Sequence, residues 1–215
     1  GDGGGEIFSS TDGITFTNAF TVSGANRTQI AVSSQNAGTI YILAAISGGV
    51  TMQATTDGFA TGTTNLALPN DADPGISPTD FTRGQAWYDL MLEVDPINDQ
   101  KIYSGGIDLF KSSDAGNSWN QFTHWYGGFG FQYAHADQHA MTFAPNNANK
   151  VLFGNDGGVF FSHDGGANTD ERNKGFITSQ FYTVGVAPTT AFASGDYFVG
   201  GLQDNGTHLF ESATP

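Results

Sequence analysis

The sequence predicts an all-β fold, a β-propeller of four-stranded antiparallel blades that forms part of a larger ring of about seven. Three observations lead there. Gly is 30 and Phe 18 of 215 residues, only 13% of residues are charged, and no long Ala/Leu/Glu/Lys run is present. That composition favours many short strands joined by tight turns. Strand-like phrases recur in a fixed order along the chain. An acidic turn also recurs, with Asp12, Asp57, Asp114 and Asp164 spaced by 45, 57 and 50 residues. The interval suits a four-stranded blade with variable loops and is too irregular for the short coils of a solenoid.

Taken in order, each repeat opens with an apolar run closing on Pro: WYDLMLEVDP, HAMTFAP and FYTVGVAP, with TQIAVSS as a version lacking the Pro. A turn and second strand follow in NAGTIYILAA, NDQKIYSGGI, NANKVLFGND and SGDYFVGGLQ. A third strand then runs into the acidic turn in EIFSSTDGITF, TMQATTDGF, LFKSSDAGNSW and VFFSHDGGANT, and a short outer edge strand closes the unit. Within strands the apolar residues alternate with small or polar ones, as at Ile40, Leu43 and Ala45. The expected divisions are a partial blade at 1–27, blades at 28–86, 87–135 and 136–180, and a partial blade at 181–215. A propeller closes to remove sheet edges, so partial blades at both ends imply a larger parent polypeptide. A small closed ring whose termini share one blade is the alternative.

The clearest acidic turn, FKSSDAGNSWN, sets Ser112, Asp114, Gly116 and Ser118 at alternate positions ahead of Trp119. Asp and Ser can accept backbone N–H bonds, Gly supplies φ > 0, and the indole caps the apolar layer below. These are the tasks of a turn between strands. Ser162, Asp164 and Gly166 repeat them with Thr169 in place of Trp, Asp57 sits in an abbreviated copy, and Asp12 in one a residue shorter. The motif resembles the Asp box, or BNR repeat, of sialidases, sortilin-type propellers and xyloglucanase-like proteins, which implies a structural role for these residues.

A formal charge of −14, from 21 acidic and 7 basic residues, repels phosphate backbones and anionic lipid surfaces, and the cations are scattered singly. Nucleic acid and membrane insertion are therefore not expected. No apolar run approaches the roughly 20 residues of a membrane helix. There is no cysteine, which excludes disulfides and thiolate chemistry. Three arginines in settings unlike those of sialidases argue against that reaction, and no P-loop, nucleophile elbow or His-Glu-x-x-His is present.

Three constellations are candidates for chemistry. In HADQH, the residues His135, Asp137 and His139 alternate, so a strand would place them on one face with the histidines roughly 13 Å apart, too far to clamp one metal without a bend, although His135 with Asp137 and a ligand from another blade could do so. Asp156 and Asp204 follow equivalent second strands and are expected to converge at one end of the ring, as paired carboxylates do in glycoside hydrolysis. Trp87 and Tyr88, and the glycine-flexed loop carrying Trp125, Tyr126 and Phe129, offer rings that stack on sugars. No metal and no cofactor are assigned.

As an ordered set, GQAWYDLMLEVDP, HADQHAMTFAP, GNDGGVFFSHDGG and GGLQDNGT resemble the large secreted BNR-repeat, xyloglucanase-like propellers of Bacteroidetes, many of which bear a sorting domain for type IX secretion. The resemblance implies an exported or cell-surface bacterial propeller. The expected function is a non-enzymatic module binding a polysaccharide or a protein partner. The alternative is a glycoside hydrolase drawing its acids from Asp137, Asp156 and Asp204.

Overall fold

Residues 40–46 form a strand buried at its five middle positions, and the reason is packing on both faces. A computed structural model describes residues 4–175, 180–188 and 197–211. The ends of the first and last partial blades (1–3 and 212–215), the segment 176–179 and the opening of the last second strand (189–196) lie outside the described residues. The chain divides into two compact units, Gly1–Arg172 and Asn173–Pro215.

In the first unit β1 (Glu6–Ser9) and β2 (Thr17–Thr21) pair as a hairpin. Three four-stranded antiparallel meanders follow: β3 (Arg27–Val32), β4 (Ile40–Ile46), β5 (Gly49–Thr55) and β6 (Thr64–Asn65); β7 (Met91–Val94), β8 (Ile102–Gly105), β9 (Leu109–Ser112) and β10 (Asn120–Gln121); and, after the short parallel pair β11 (Thr123–His124) and β12 (Gln132–Tyr133), β13 (Gln138–Ala144), β14 (Asn147–Asn155), β15 (Gly158–Ser162) and β16 (Asp170–Glu171). The edge strands β6, β10 and β16 have two residues each, which leaves little unpaired backbone at the rim. Among the described residues the helical content is one 3₁₀ turn, Gly128–Gly130.

First strands lie innermost, with β7 against β3 and β4 on one side and β13 on the other. Each gap between consecutive sheets holds an apolar cluster. Tyr41, Leu43 and Ala45 of β4 meet Leu92, Val94, Ile102 and Phe110, whereas Ile42 and Ala44 turn the other way onto Ile7 and Val22. Met91, Tyr103 and Leu109 meet Val151, Phe153 and Phe160. The alternation expected in β4 is thus replaced by a run, Tyr41 to Ala45, buried throughout, because a sheet between two others has no solvent face. Ile42 and Leu43 each contribute roughly 1.5–3 kcal/mol on burial.

The acidic turns close the β5–β6, β9–β10 and β15–β16 connections. Asp114 accepts from the Ser118 N–H at 2.8 Å and the Ser118 hydroxyl at 2.6 Å, while the Ser112 hydroxyl donates to Asp114 and accepts from the Gly116 N–H, both at 2.8 Å. Ser162, Asp164, Gly166 and Asn168 repeat the set at 2.6–2.9 Å. Asp57 accepts from Thr61, and in the shorter turn Asp12 accepts from the Ile14 and Thr15 N–H groups. Hydrogen bonds from Asn168 hold Asp164 down at about 2, and those from the Thr15 and Ile14 backbone hold Asp12 at about 2. Trp119 donates its indole N–H to the Ala67 carbonyl at 2.9 Å, and Thr169, which takes its place in the next turn, donates its hydroxyl to the Tyr133 carbonyl at 2.8 Å. The ring is dispensable there; the donor is retained.

The second unit is a three-stranded antiparallel sheet, β17 (Phe181–Val186), β18 (Tyr197–Leu202) and β19 (Thr207–Glu211). Asp204, with φ 54°, sits in the turn between β18 and β19.

Candidate functional site

Strand register sorts the candidate residues by end. Met91 pairs with Gly105 and Gly105 with Leu109, so 89–90 and 106–108 share one end of the middle sheet. Ser112 pairs with Ile102 at the other end, where its acidic turn lies. In the next sheet Gln138 pairs with Asn155 and Asn155 with Gly158, opposite the turn beyond Ser162. The Gln138 N–H donates to the Gly106 carbonyl at 2.8 Å and its amide to the Ile107 carbonyl at 3.2 Å, tying the two ends together. Asp137, His139, Asp156 and, by the bond from its N–H to Asp108 Oδ1 at 2.7 Å, Trp125 gather on this end. Asp204 belongs to the second unit and is described there alone.

HADQH is not one strand face. The strand begins at Gln138, and Asp137 has φ 65°, a left-handed bend that Asp tolerates better than most residues. Beyond the bend, His139 Nε2 lies 2.6 Å from Asp156 Oδ1. His135, ahead of it, is near its neighbour's carbonyl (Nδ1 to Ala136 O, 3.2 Å) and packs over Gly157, where a Cβ would not fit. Tyr88 donates its hydroxyl across both Asp156 oxygens, at 2.8 and 2.9 Å. Its ring meets His139 edge-on at 4.8 Å, and Trp87, 69% exposed, lies beside it. Asp89, fully buried, stands within hydrogen-bonding reach of the Asp137 carboxyl; burial first, then the Asp137 charge, pushes it up to about 8 against the pull of Arg27.

A second cluster centres on Arg83, which reads in the sequence as one of several isolated cations. Its guanidinium contacts Asp71 at 2.8 Å, Asp73 at 2.7 Å and Asp108 at 3.4 Å. Burial would raise Asp73, but hydrogen bonds from Tyr126, Arg83 and Trp125 hold it below the usual carboxylate range. Asp108, fully buried and repelled by Asp71, goes the other way, up to about 7. Tyr126 donates its hydroxyl to Asp73 Oδ1 at 2.9 Å and Trp125 its indole N–H to Asp73 Oδ2 at 3.4 Å. The two rings stand at 85° with centroids 4.7 Å apart. Buried His124 lies under them, 4.0 Å from Tyr126 and 5.3 Å from Phe129. The outward rings are 42% (Trp125), 52% (Tyr126) and 59% (Phe129) exposed.

The rings and His135, Asp137, His139, Asp156 and Asp204 stand out in the sequence; Asp71, Asp73, Arg83, Asp89, Asp108 and His124 do not. Asp89 sits inside WYDLMLEVDP, where an acid in an apolar run is a signal that burial is being opposed.

No protein-family model and no curated protein matches the sequence. Among solved structures the chain is similar to the GH74 enzyme of Niastella koreensis, with a TM-score of 0.54 and 16% identity over 97% of this chain and 33% of that one. It is also similar to an ancestral GH74 enzyme, with a TM-score of 0.52 and 14% identity over 97% of this chain and 28% of that one. These likenesses and the antiparallel four-stranded sheets agree. The fold is that of a partial β-propeller. The propeller segment spans about a third or less of the length of either enzyme.

Proposed function

We propose that this chain is a propeller segment of an exported or cell-surface protein and binds a polysaccharide through the sheet ends that carry Trp87, Tyr88, Trp125, Tyr126 and Phe129. One observation carries the reading: Trp125 and Tyr126 are exposed, yet both are pinned at their polar atoms by the same Asp73 carboxylate. Pinned rings lose little entropy when a ligand stacks on them, and a right-angled pair offers a pyranose an apolar corner. A net charge of −14 favours neutral ligands over anionic ones.

Binding is favoured over hydrolysis by where the acids lie. A glycosidase needs a proton-donating carboxyl and a second carboxylate, both reaching the scissile bond. The two carboxyls whose protonation is favoured at this end, Asp89 and Asp108, are fully buried, and Asp156 is engaged by Tyr88 and His139. The test is affinity electrophoresis through gels containing neutral polysaccharides, with reducing-end release measured in parallel. Wild-type protein should be retarded and Trp125→Ala should not, with no sugar released. Release that disappears in Asp137→Ala or Asp156→Ala would install the hydrolase reading, and wild type unretarded across the panel would sink polysaccharide binding in favour of a protein partner.

A further inference from the structure

We propose that Asp89, Asp137 and Asp156 form a binding site for a divalent, oxygen-liganded cation of the calcium class. The first observation is Asp89. Its side chain has no solvent exposure, and neither carboxylate oxygen has a hydrogen-bond donor. It faces another carboxyl, that of Asp137, within hydrogen-bonding reach. A buried carboxylate left this way costs several kcal/mol unless a cation or a proton lies against it.

The second observation is a distance. A carboxylate oxygen of Asp137 and one of Asp156 lie within 4.8 Å of each other. Two oxygens bound to one calcium at roughly 2.3–2.6 Å are separated by at most about 5 Å. An ion between Asp137 and Asp156 therefore needs no rearrangement of either backbone, and Asp89 adjoins it through Asp137, whose carboxyl it faces. Hard carboxylate oxygens select a hard cation over zinc or copper.

The surroundings suit this. Tyr88 and His139 hydrogen-bond to the Asp156 oxygens and fix the carboxylate in place, as outer groups do when they orient a ligand. The left-handed backbone at Asp137, φ 65°, turns its carboxyl away from the face that the strand would otherwise give it. Arg27 brings positive charge toward Asp89, but its described hydrogen bond goes to the Leu90 carbonyl at 3.4 Å. The cation would complete the inner wall of this end of the propeller and does not depend on what the Trp125 corner binds.

The experiment is terbium(III) luminescence on the whole chain, excited through the aromatic side chains, because Tyr88 touches Asp156 directly and Trp87 adjoins it. Terbium emission should saturate at one ion per chain and be displaced by calcium, and calcium should raise the melting temperature of chelator-treated protein. Asp89→Asn and Asp137→Asn should each weaken terbium binding at least tenfold, while Asp114→Asn, at the opposite end of the sheets, should leave it unchanged. Should Asp89→Asn fail to fold, Asp156→Asn serves the same comparison. Wild-type protein without saturable emission or calcium-induced stabilisation would overturn the site. So would binding that survives Asp89→Asn and Asp137→Asn, and so would an Asp89→Asn protein more stable than a wild type insensitive to calcium, the behaviour of two carboxyls sharing a proton.

Discussion

Replacing Asp108 by Asn removes a charge and keeps a shape. Oδ1 accepts the Trp125 N–H at 2.7 Å, which an amide oxygen can do equally, and the contact with Arg83 is long, at 3.4 Å. The carboxyl is raised from 3.8 to about 7 by burial and by Asp71, with Arg83 opposing. Between those two values the folded state binds more protons than the unfolded chain, so the contribution of Asp108 to stability is lost as pH rises through that window. Ionising it in the folded protein costs about 4 kcal/mol more than in the unfolded chain, at 1.36 kcal/mol per pH unit. Asp108→Asn should match wild type near pH 4, gain on it progressively, and level off above about pH 7 at a stabilisation of up to about 4 kcal/mol. Urea unfolding followed by tryptophan emission is the assay, because Trp87, Trp119 and Trp125 all lie in the unit Gly1–Arg172 and report on it alone. A difference that stays constant between about pH 5 and about pH 8, or a variant less stable at the higher pH, would refute the account of Asp108 as a charge buried at a cost.

Arg83→Met leaves Asp71, Asp73 and Asp108 facing one another without their cation; it should cost about 3–5 kcal/mol near neutral pH and less in acid, as read by the same unfolding assay. Gly116→Ala combines a φ of +85° with a Cβ placed 2.8 Å from Leu66 Cδ1 and 3.2 Å from Ile102 Cδ1, so a loss of about 1–3 kcal/mol is expected in thermal melting, with the environment of Trp125 unchanged.

The repeat, the strand order and the acidic turns were legible because each rests on residues close in sequence. Ser112, Asp114, Gly116 and Ser118 interact within seven positions, and such spacing survives in a string of letters. The Arg83 cluster was not legible. Asp71, Asp73, Arg83 and Asp108 span 38 positions by their numbering, and they meet because the loop at 66–90 and the β8–β9 turn reach the same sheet end. A lone arginine in an acidic chain reads as solvated until that geometry is known. In HADQH the residue types are legible but their arrangement is not, because a period of two assumes an unbroken strand and one left-handed Asp137 breaks it. The burial of β4 on both faces was hidden similarly, since Ala44 and Ala45 look like small outward residues until a neighbouring sheet is placed on each side.

The separation of the acidic turns from the other sheet ends bears on how the chain tolerates changes in length. A residue inserted in the Asp12 turn lengthens a hairpin tip whose side-chain hydrogen bonds close locally, and that turn, already a residue shorter than the others, still gives Asp12 two backbone donors. An insertion among residues 106–108 would instead displace Asp108 from the Trp125 N–H and the Ile107 carbonyl from Gln138 together. The acidic-turn end is forgiving of added chain where its turn closes on itself, as at Asp12, and the opposite end is intolerant, so variation in loop length should collect where the ligand does not.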